Sequence, residues 1–187
     1  MSIFSPRLSA ILFIGLAVHE LGHAHAARWH GVPVRGIYLF PWFAGWCMYR
    51  ARIMNWWVGS FISLTGPTYQ LLYGIGLFAT GTVTGDEVIL FGAPLEALGA
   101  LINLIPVGSH DGYKVVRAIR TPARISRLNR RGRSAILAAY VTLIALSLAV
   151  TYAAFPRDIV FNPLQFAEKM SSVWLWSAVN YMGRLLV

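Results

Sequence analysis

The chain has 187 residues, 57% of them apolar and 12% charged, with 16 Lys and Arg against 7 Asp and Glu and a single cysteine, Cys47. That composition excludes a disordered chain and an intramolecular disulfide framework, and its charged share is about half the ~25% of an ordinary soluble domain. A net charge of +9 alone would suit a nucleic-acid partner, but the apolar excess makes a lipid bilayer the environment that accounts for both features.

A helix needs about 20 mainly apolar residues to cross the hydrocarbon core. Four stretches meet that requirement: Leu8 to Ala27; Trp56 to Val83, interrupted by Pro67; Val88 to Val107, with Pro94 near its start and Pro106 at its end; and Ser134 to Phe155, which carries no charge. The first also has the outline of a signal peptide, with Arg7, an apolar run and Ala24-His25-Ala26 as a cleavage site. Cleavage there would discard the most chemically loaded residues of the chain, so a retained span is the preferred reading. Gly59, Ser63 and Gly66 form a small-residue stripe on the second stretch, which predicts close helix packing.

The connections sort by charge. Residues 28–54 carry Arg28, Arg35, Arg50 and Arg52, and residues 108–133 carry Lys114, Arg117, Arg120, Arg124, Arg127, Arg130, Arg131 and Arg133. With four spans both loops fall on one side, and the positive-inside rule makes that side cytoplasmic and leaves both termini outside. The basic loop then contacts anionic lipid, and no nucleic-acid partner is expected. A compact chain without a targeting extension points to the plasma (inner) membrane. Residues 163–187 are too interrupted for a further span, and Trp174, Trp176 and Tyr181 suit an interfacial helix. Residues 36–50 are rich in aromatics, and Pro41 and Gly45 argue against a continuous helix there.

Ionisable groups inside a membrane segment are expensive and read first as functional. The first stretch ends in His19-Glu20-Leu21-Gly22-His23. Spacing i, i+4 puts both imidazoles on one helix face, where they can share a metal, and imidazole suits zinc. Glu20, next to His19, is placed to act as a general base on water. A catalytic zinc takes three protein ligands. Among His25, His30, His110 and Asp111, His25 points about 200° away from His23, and His30 precedes the helix-ending Gly31 and Pro33. Asp111, at the same membrane depth as His19 and His23, is the best candidate.

The second motif is Asn103-Leu-Ile-Pro106-Val-Gly-Ser-His-Asp111-Gly112. Together, in this order and at full spacing, the two motifs resemble the site-2 proteases, a family of intramembrane zinc metalloproteases. The resemblance covers about residues 8–120, the family's three-helix core. It implies His19, His23 and Asp111 as ligands of one zinc ion per chain, Glu20 as catalytic base, and Asn103 as a catalytic residue that binds the substrate carbonyl or its oxyanion. It also implies a membrane-dipping β-hairpin after the first helix, which residues 36–50 resemble; an aromatic belt at the interface is the other reading. Two positions depart from the family pattern. Ser109-His110 stand where Pro-Leu is usual, and Gln70 follows Gly66-Pro67 where an Asn or small residue is usual. Glu96, seven residues before Asn103, either lines a water path to the metal or lies near the outer surface.

The expected fold is an all-α polytopic membrane protein of about four transmembrane helices, with a short hairpin-like loop and a C-terminal interfacial helix. Residues 1–120 form the metalloprotease core, and residues 121–187 hold the end of the basic loop, the fourth helix and the tail. The expected activity is a zinc endopeptidase that cuts a peptide bond in or near a substrate's transmembrane helix at the cytoplasmic face, in regulated proteolysis of a membrane-bound regulator. The rivals are a catalytically inactive scaffold, against which Glu20 argues, and a metal transporter, which would be expected to carry internal repeats that this chain lacks.

Overall fold

The computed structural model describes residues 6–40, 44–49, 55–120 and 127–154. Residues 1–5, 41–43, 50–54, 121–126 and 155–187 lie outside the described residues, and with them the interfacial-helix reading of the tail. Among the described residues, five helices and one hairpin follow in the order α1 (Pro6–Trp29), β1 (Val34–Phe40), β2 (Ala44–Tyr49), α2 (Trp56–Thr84), α3 (Glu87–Leu104), α4 (Asp111–Arg120) and α5 (Arg127–Ala154). The described residues fall within one unit, Met1–Phe155.

The helical reading with a hairpin holds, with three adjustments. By length and apolar composition, α1, α3 and residues Arg131–Ala154 of α5 can each cross a membrane. Helix α2 has 29 residues, about 43 Å at 1.5 Å per residue and so long enough to span, but Gly, Ser, Thr and Gln dilute its hydropathy. The segment read as a basic loop contains α4, because Val115, Val116 and Ile119 share a face that packs on the core while the basic residues occupy the other. Helix α3 stops at Leu104 rather than continuing to Val107, since Ile105 precedes Pro106 and takes an extended conformation.

The helices are inside out relative to a soluble bundle. The buried face of α1 is Gly15, His19, Gly22, His23 and Ala26, at helical spacing. Helix α3 buries Gly92, Ala93, Glu96, Ala97 and Ala100. Large apolar side chains such as Ile14, Leu21, Leu72, Leu137 and Leu148 are exposed. Small and polar inside, large and apolar outside is the arrangement a lipid solvent favours, because close backbone approach rather than water exclusion drives the helices together. The hydroxyls of Ser60, Thr65 and Thr68 in α2 donate to carbonyls four residues earlier, which satisfies them without water.

Turns and caps fix the helix ends. Gly85 ends α2 at φ 68°, a left-handed position that glycine occupies without penalty. Asp86 caps α3 by accepting from the Val88 and Ile89 amides. Arg7 pairs with Asp86 at 2.6 Å, and that partner holds the Asp86 carboxyl below the usual carboxylate range. At the other end of α3, the Leu104 carbonyl has no partner within its helix, and the Tyr140 hydroxyl of α5 donates to it at 2.5 Å. The strands pair antiparallel, with Ile37 opposite Cys47 and Tyr38 opposite Trp46, and the register slips between Val34 and Gly36.

Replacing Tyr140 by Phe leaves the buried Leu104 carbonyl unsatisfied. A cost of about 1–3 kcal/mol is expected, seen as a lower unfolding midpoint of the detergent-solubilised protein.

Candidate metal centre

The elements above bring His19, His23 and Asp111 together, all buried. Helix α1 supplies the two imidazoles from adjacent turns. Asp111 is the first residue of α4. The turn that delivers it runs through Gly108 at φ 60°, and a side chain on Gly112 would overlap the Leu104 carbonyl. The Asp-Gly pair therefore lets α4 begin hard against the end of α3, with its first carboxylate under α1.

The hydrogen bonds around the imidazoles fix their tautomers. His23 Nδ1 lies 2.7 Å from the Ile62 carbonyl, which can only accept, so Nδ1 carries the proton. Pro67 cannot donate to the Ser63 carbonyl and crowds that turn of α2, next to the residue that takes the His23 proton. Gln70 Nε2 donates to Glu96 Oε2 at 3.0 Å, and this turns its Oε1 toward His19 Nδ1 at 2.9 Å. His19 is therefore protonated at Nδ1 as well. Each neutral ring then directs a lone pair inward from Nε2.

Three acceptor atoms converge as a result. His19 Nε2 is 3.1 Å from His23 Nε2 and 3.2 Å from Asp111 Oδ2, and His23 Nε2 is 3.1 Å from the same oxygen. Acceptors at that separation repel unless a cation or a proton lies among them. The triangle is close to one face of a zinc tetrahedron, whose ligands at about 2.0–2.1 Å sit roughly 3.3–3.4 Å apart. The donor set fits zinc in both chemistry and spacing. Lys114 Nζ holds the other oxygen, Asp111 Oδ1, at 2.9 Å. Burial works against an ionised Asp111, but the imidazoles when protonated, and the Lys114 ammonium, outweigh it and hold the carboxyl well below its usual range. Burial likewise opposes the Lys114 charge, and Asp111 more than offsets it.

A cleft of about 830 Å³ opens on the three atoms and is lined by Glu20, Gly45, Tyr49 and Asn103 among others. Glu20 lies directly beneath the hairpin, since a Cβ on Gly45 would come within 2.6 Å of its Oε1. Asn103 donates from Nδ2 to the Gly99 carbonyl at 3.2 Å. Cys47 lines the same cleft, but burial pushes its thiol up to about 11, so at neutral pH it offers no thiolate.

The remaining histidines lie apart from the cluster. His25 pairs with the Tyr69 hydroxyl on an exposed face, and His30 packs edge-on against Trp57 and Phe61. His110 borders the cleft, and its Nδ1 is buried without a hydrogen-bond partner among the described residues. Sequence reasoning missed the Ile62 carbonyl and the Lys114 contact, and it left Gln70 and Glu96 without a defined place. It assigned Gly66 to helix packing alone. A Cβ there would overlap His23 Nε2 and lie 2.9 Å from His19 Nε2, so Gly66 clears the space for the centre.

The fold and the site define a helical membrane protein with a buried His-His-Asp group able to hold a metal ion. Two curated relatives are similar to this chain. A protein of Synechocystis sp., provisionally named zinc metalloprotease sll0528, is 32% identical over 114 residues, covering 58% of this chain and 30% of the relative. Zinc metalloprotease MJ0392 of Methanocaldococcus jannaschii is 30% identical over 124 residues, covering 63% and 35%. The matched region spans about a third of the length of each relative. These distant homologues agree with the resemblance to site-2 proteases carried by the two motifs. No family model matches the chain, and no solved structure is significantly similar to it.

Substituting Gly66 by Ala should displace an imidazole from the cluster. Zinc affinity, measured by chelator competition, is expected to fall at least about tenfold while helix content is retained.

Proposed function

We propose that the chain is an intramembrane zinc endopeptidase of the site-2 protease kind, cutting a peptide bond in or beside the transmembrane helix of a membrane-bound regulator. The observation that carries this reading is the convergence of two imidazole lone pairs and a carboxylate oxygen beside Glu20. The names of the two relatives support it. So does the intact Glu20, which a scaffold or a transporter has no need to keep in that position.

His19, His23 and Asp111 would hold the ion through Nε2, Nε2 and Oδ2. Zinc, when bound, supplies Lewis acidity that polarises the scissile carbonyl and acidifies water. Glu20 takes the proton from the attacking water and delivers it to the leaving nitrogen. Asn103, on the same cleft wall, offers its amide to the carbonyl oxygen as negative charge builds there.

A helical substrate hides its peptide bonds in its own hydrogen bonds, so it must be drawn out before it can be cut. In the proposed mode the substrate adds as an extended strand along β2, whose residues Ala44–Tyr49 line the cleft. Backbone hydrogen bonds to that edge then replace those of the substrate helix. The concentration of Lys and Arg at 28–54 and 108–133 supports a cytoplasmic position for the cleft, both termini outside and anionic lipid along the basic face. The fourth span and the division of the chain near residue 120 belong to the same reading.

Two experiments test this function. Glu20→Gln should bind zinc as the parent does and lose cleavage of a membrane-helix substrate by about 10²–10⁴-fold, whereas His19→Ala should lose zinc. Equal cleavage by Glu20→Gln and the parent would remove Glu20 from the role of base, and zinc flux into liposomes without cleavage would favour transport. Separately, Met48→Pro should abolish cleavage while leaving zinc bound. Unchanged turnover with that proline in place would defeat strand addition.

A further inference from the structure

Glu96 of α3 is 1% exposed, as deeply buried as the apolar side chains of Leu8 and Leu104. Its Oε2 accepts from Gln70, and its Oε1 is buried with no hydrogen-bond partner among the described residues. A carboxyl in such a place is costly, and the fold clears room for it. A Cβ on Gly15 of α1 would overlap the Glu96 carboxyl, one on Gly74 of α2 would lie 3.3 Å from Glu96 Cβ, and one on Gly99 of α3 would lie 2.6 Å from Gln70 Nε2. Three helices each give up a side chain at this pair.

We propose that Glu96 and Gln70 are positioning residues for the metal centre. Glu96 holds the Gln70 amide in the one orientation whose carbonyl accepts the His19 Nδ1 proton, which keeps the His19 Nε2 lone pair directed at Asp111 and His23. An amide is nearly symmetric in shape and can turn over. Turned over, its NH2 group would face His19 Nδ1 and favour the tautomer with the proton on Nε2, aimed into the metal position. Its carbonyl would then face the Glu96 carboxylate, and two acceptors at hydrogen-bond distance repel. Glu96 thus acts on the ligand at one remove, by making the wrong amide orientation unfavourable. An outer partner that fixes the tautomer of a ligating histidine is a recurrent requirement of metal sites. Here that partner is an uncharged amide, and a second buried residue is needed to define which way it faces. The inference rests on the reading of His19, His23 and Asp111 as metal ligands.

The test is the zinc dissociation constant of the full chain in detergent, measured by chelator competition, with thermal unfolding recorded on the same samples. Gln70→Leu and Glu96→Leu should each weaken zinc binding by about 10–100-fold. Glu96→Gln can turn either its oxygen or its NH2 toward Gln70, so it no longer excludes the turned-over amide and should weaken zinc binding, by less than Glu96→Leu does. Gln70→Glu sets two carboxylates face to face and should weaken binding. The exchange Gln70→Glu with Glu96→Gln should restore it, since the carboxylate now accepts the His19 proton and the amide behind it donates. A purely structural pair would move the unfolding midpoint without moving zinc affinity in this pattern. Parental affinity in Glu96→Leu, or an exchange variant no tighter than Gln70→Glu alone, overturns the proposal. Should the leucine variants not fold, the three Glu/Gln variants decide it. A parent that binds no zinc overturns the metal-centre reading itself, whereas tight zinc binding by the parent and every variant overturns only the positioning role.

Discussion

Two donated protons organise this molecule. His23 gives its Nδ1 proton to a backbone carbonyl of α2, and His19 gives its own to a side-chain carbonyl of the same helix. Once those donors are committed, both Nε2 lone pairs must face inward, and a carboxylate completes the ring of acceptors. Such a cluster is electrostatically unfavourable in an apolar interior unless something positive occupies its centre. The arrangement of donors is thus suited to a cation. The packing of α1 on α2, the position of α4 and the burial of Glu96 all serve that arrangement.

The small residues follow from the same demand. In a bundle whose outer surface carries Leu, Ile and Phe, glycine at a helix contact is usually read as a device for close approach. Here several glycines are paired with specific polar groups: Gly15 with the Glu96 carboxyl, Gly45 with Glu20, Gly66 with the two imidazoles, Gly99 with the Gln70 amide and Gly112 with the Leu104 carbonyl. Each gives room to an atom that must be held in place. Glycine therefore supplies this interior with volume for polar groups as well as with close backbone contact. That use explains why so much polar chemistry fits inside thin apolar helices.

The sequence was most legible where the chemistry is local. His19, Glu20 and His23 lie within one helical turn and a little more, so their shared face follows from the helix period alone. Asp111 could be reached because the third apolar stretch closes at Pro106 and returns the chain to the depth of His19. The hairpin was legible through Pro41, Gly45 and the family resemblance. What could not be read depends on how helices sit against one another. Gln70 lies 51 residues from His19 and 26 from Glu96, and no periodicity within α2 or α3 says which faces meet. Glu96 had two open readings for that reason. Helix α4 was hidden by its own arginines, which read as a loop until the Val115 and Ile119 face finds the core formed by α2, α3 and α5.

On the proposed function the hairpin raises a separate physical question, which is how a peptide bond would reach a centre enclosed by helices. Water and an extended chain need an open side, and lipid must stay out. The cleft meets both needs, because its walls differ in kind. One wall is α1 with its buried His19, Glu20 and His23, and the other is β2, a strand that among the described residues pairs with β1 alone. Unpaired strand backbone in an apolar setting is costly. It becomes tolerable where the edge borders a polar cavity, and favourable when a second strand lies along it. The cost that makes a lone strand edge rare in membranes would thus give this one affinity for an unwound substrate. Glu20 lies against that same strand at Gly45, so the proposed base and the proposed binding edge are in contact before any substrate arrives, and a chain seated on β2 would lie beside the group that moves its proton.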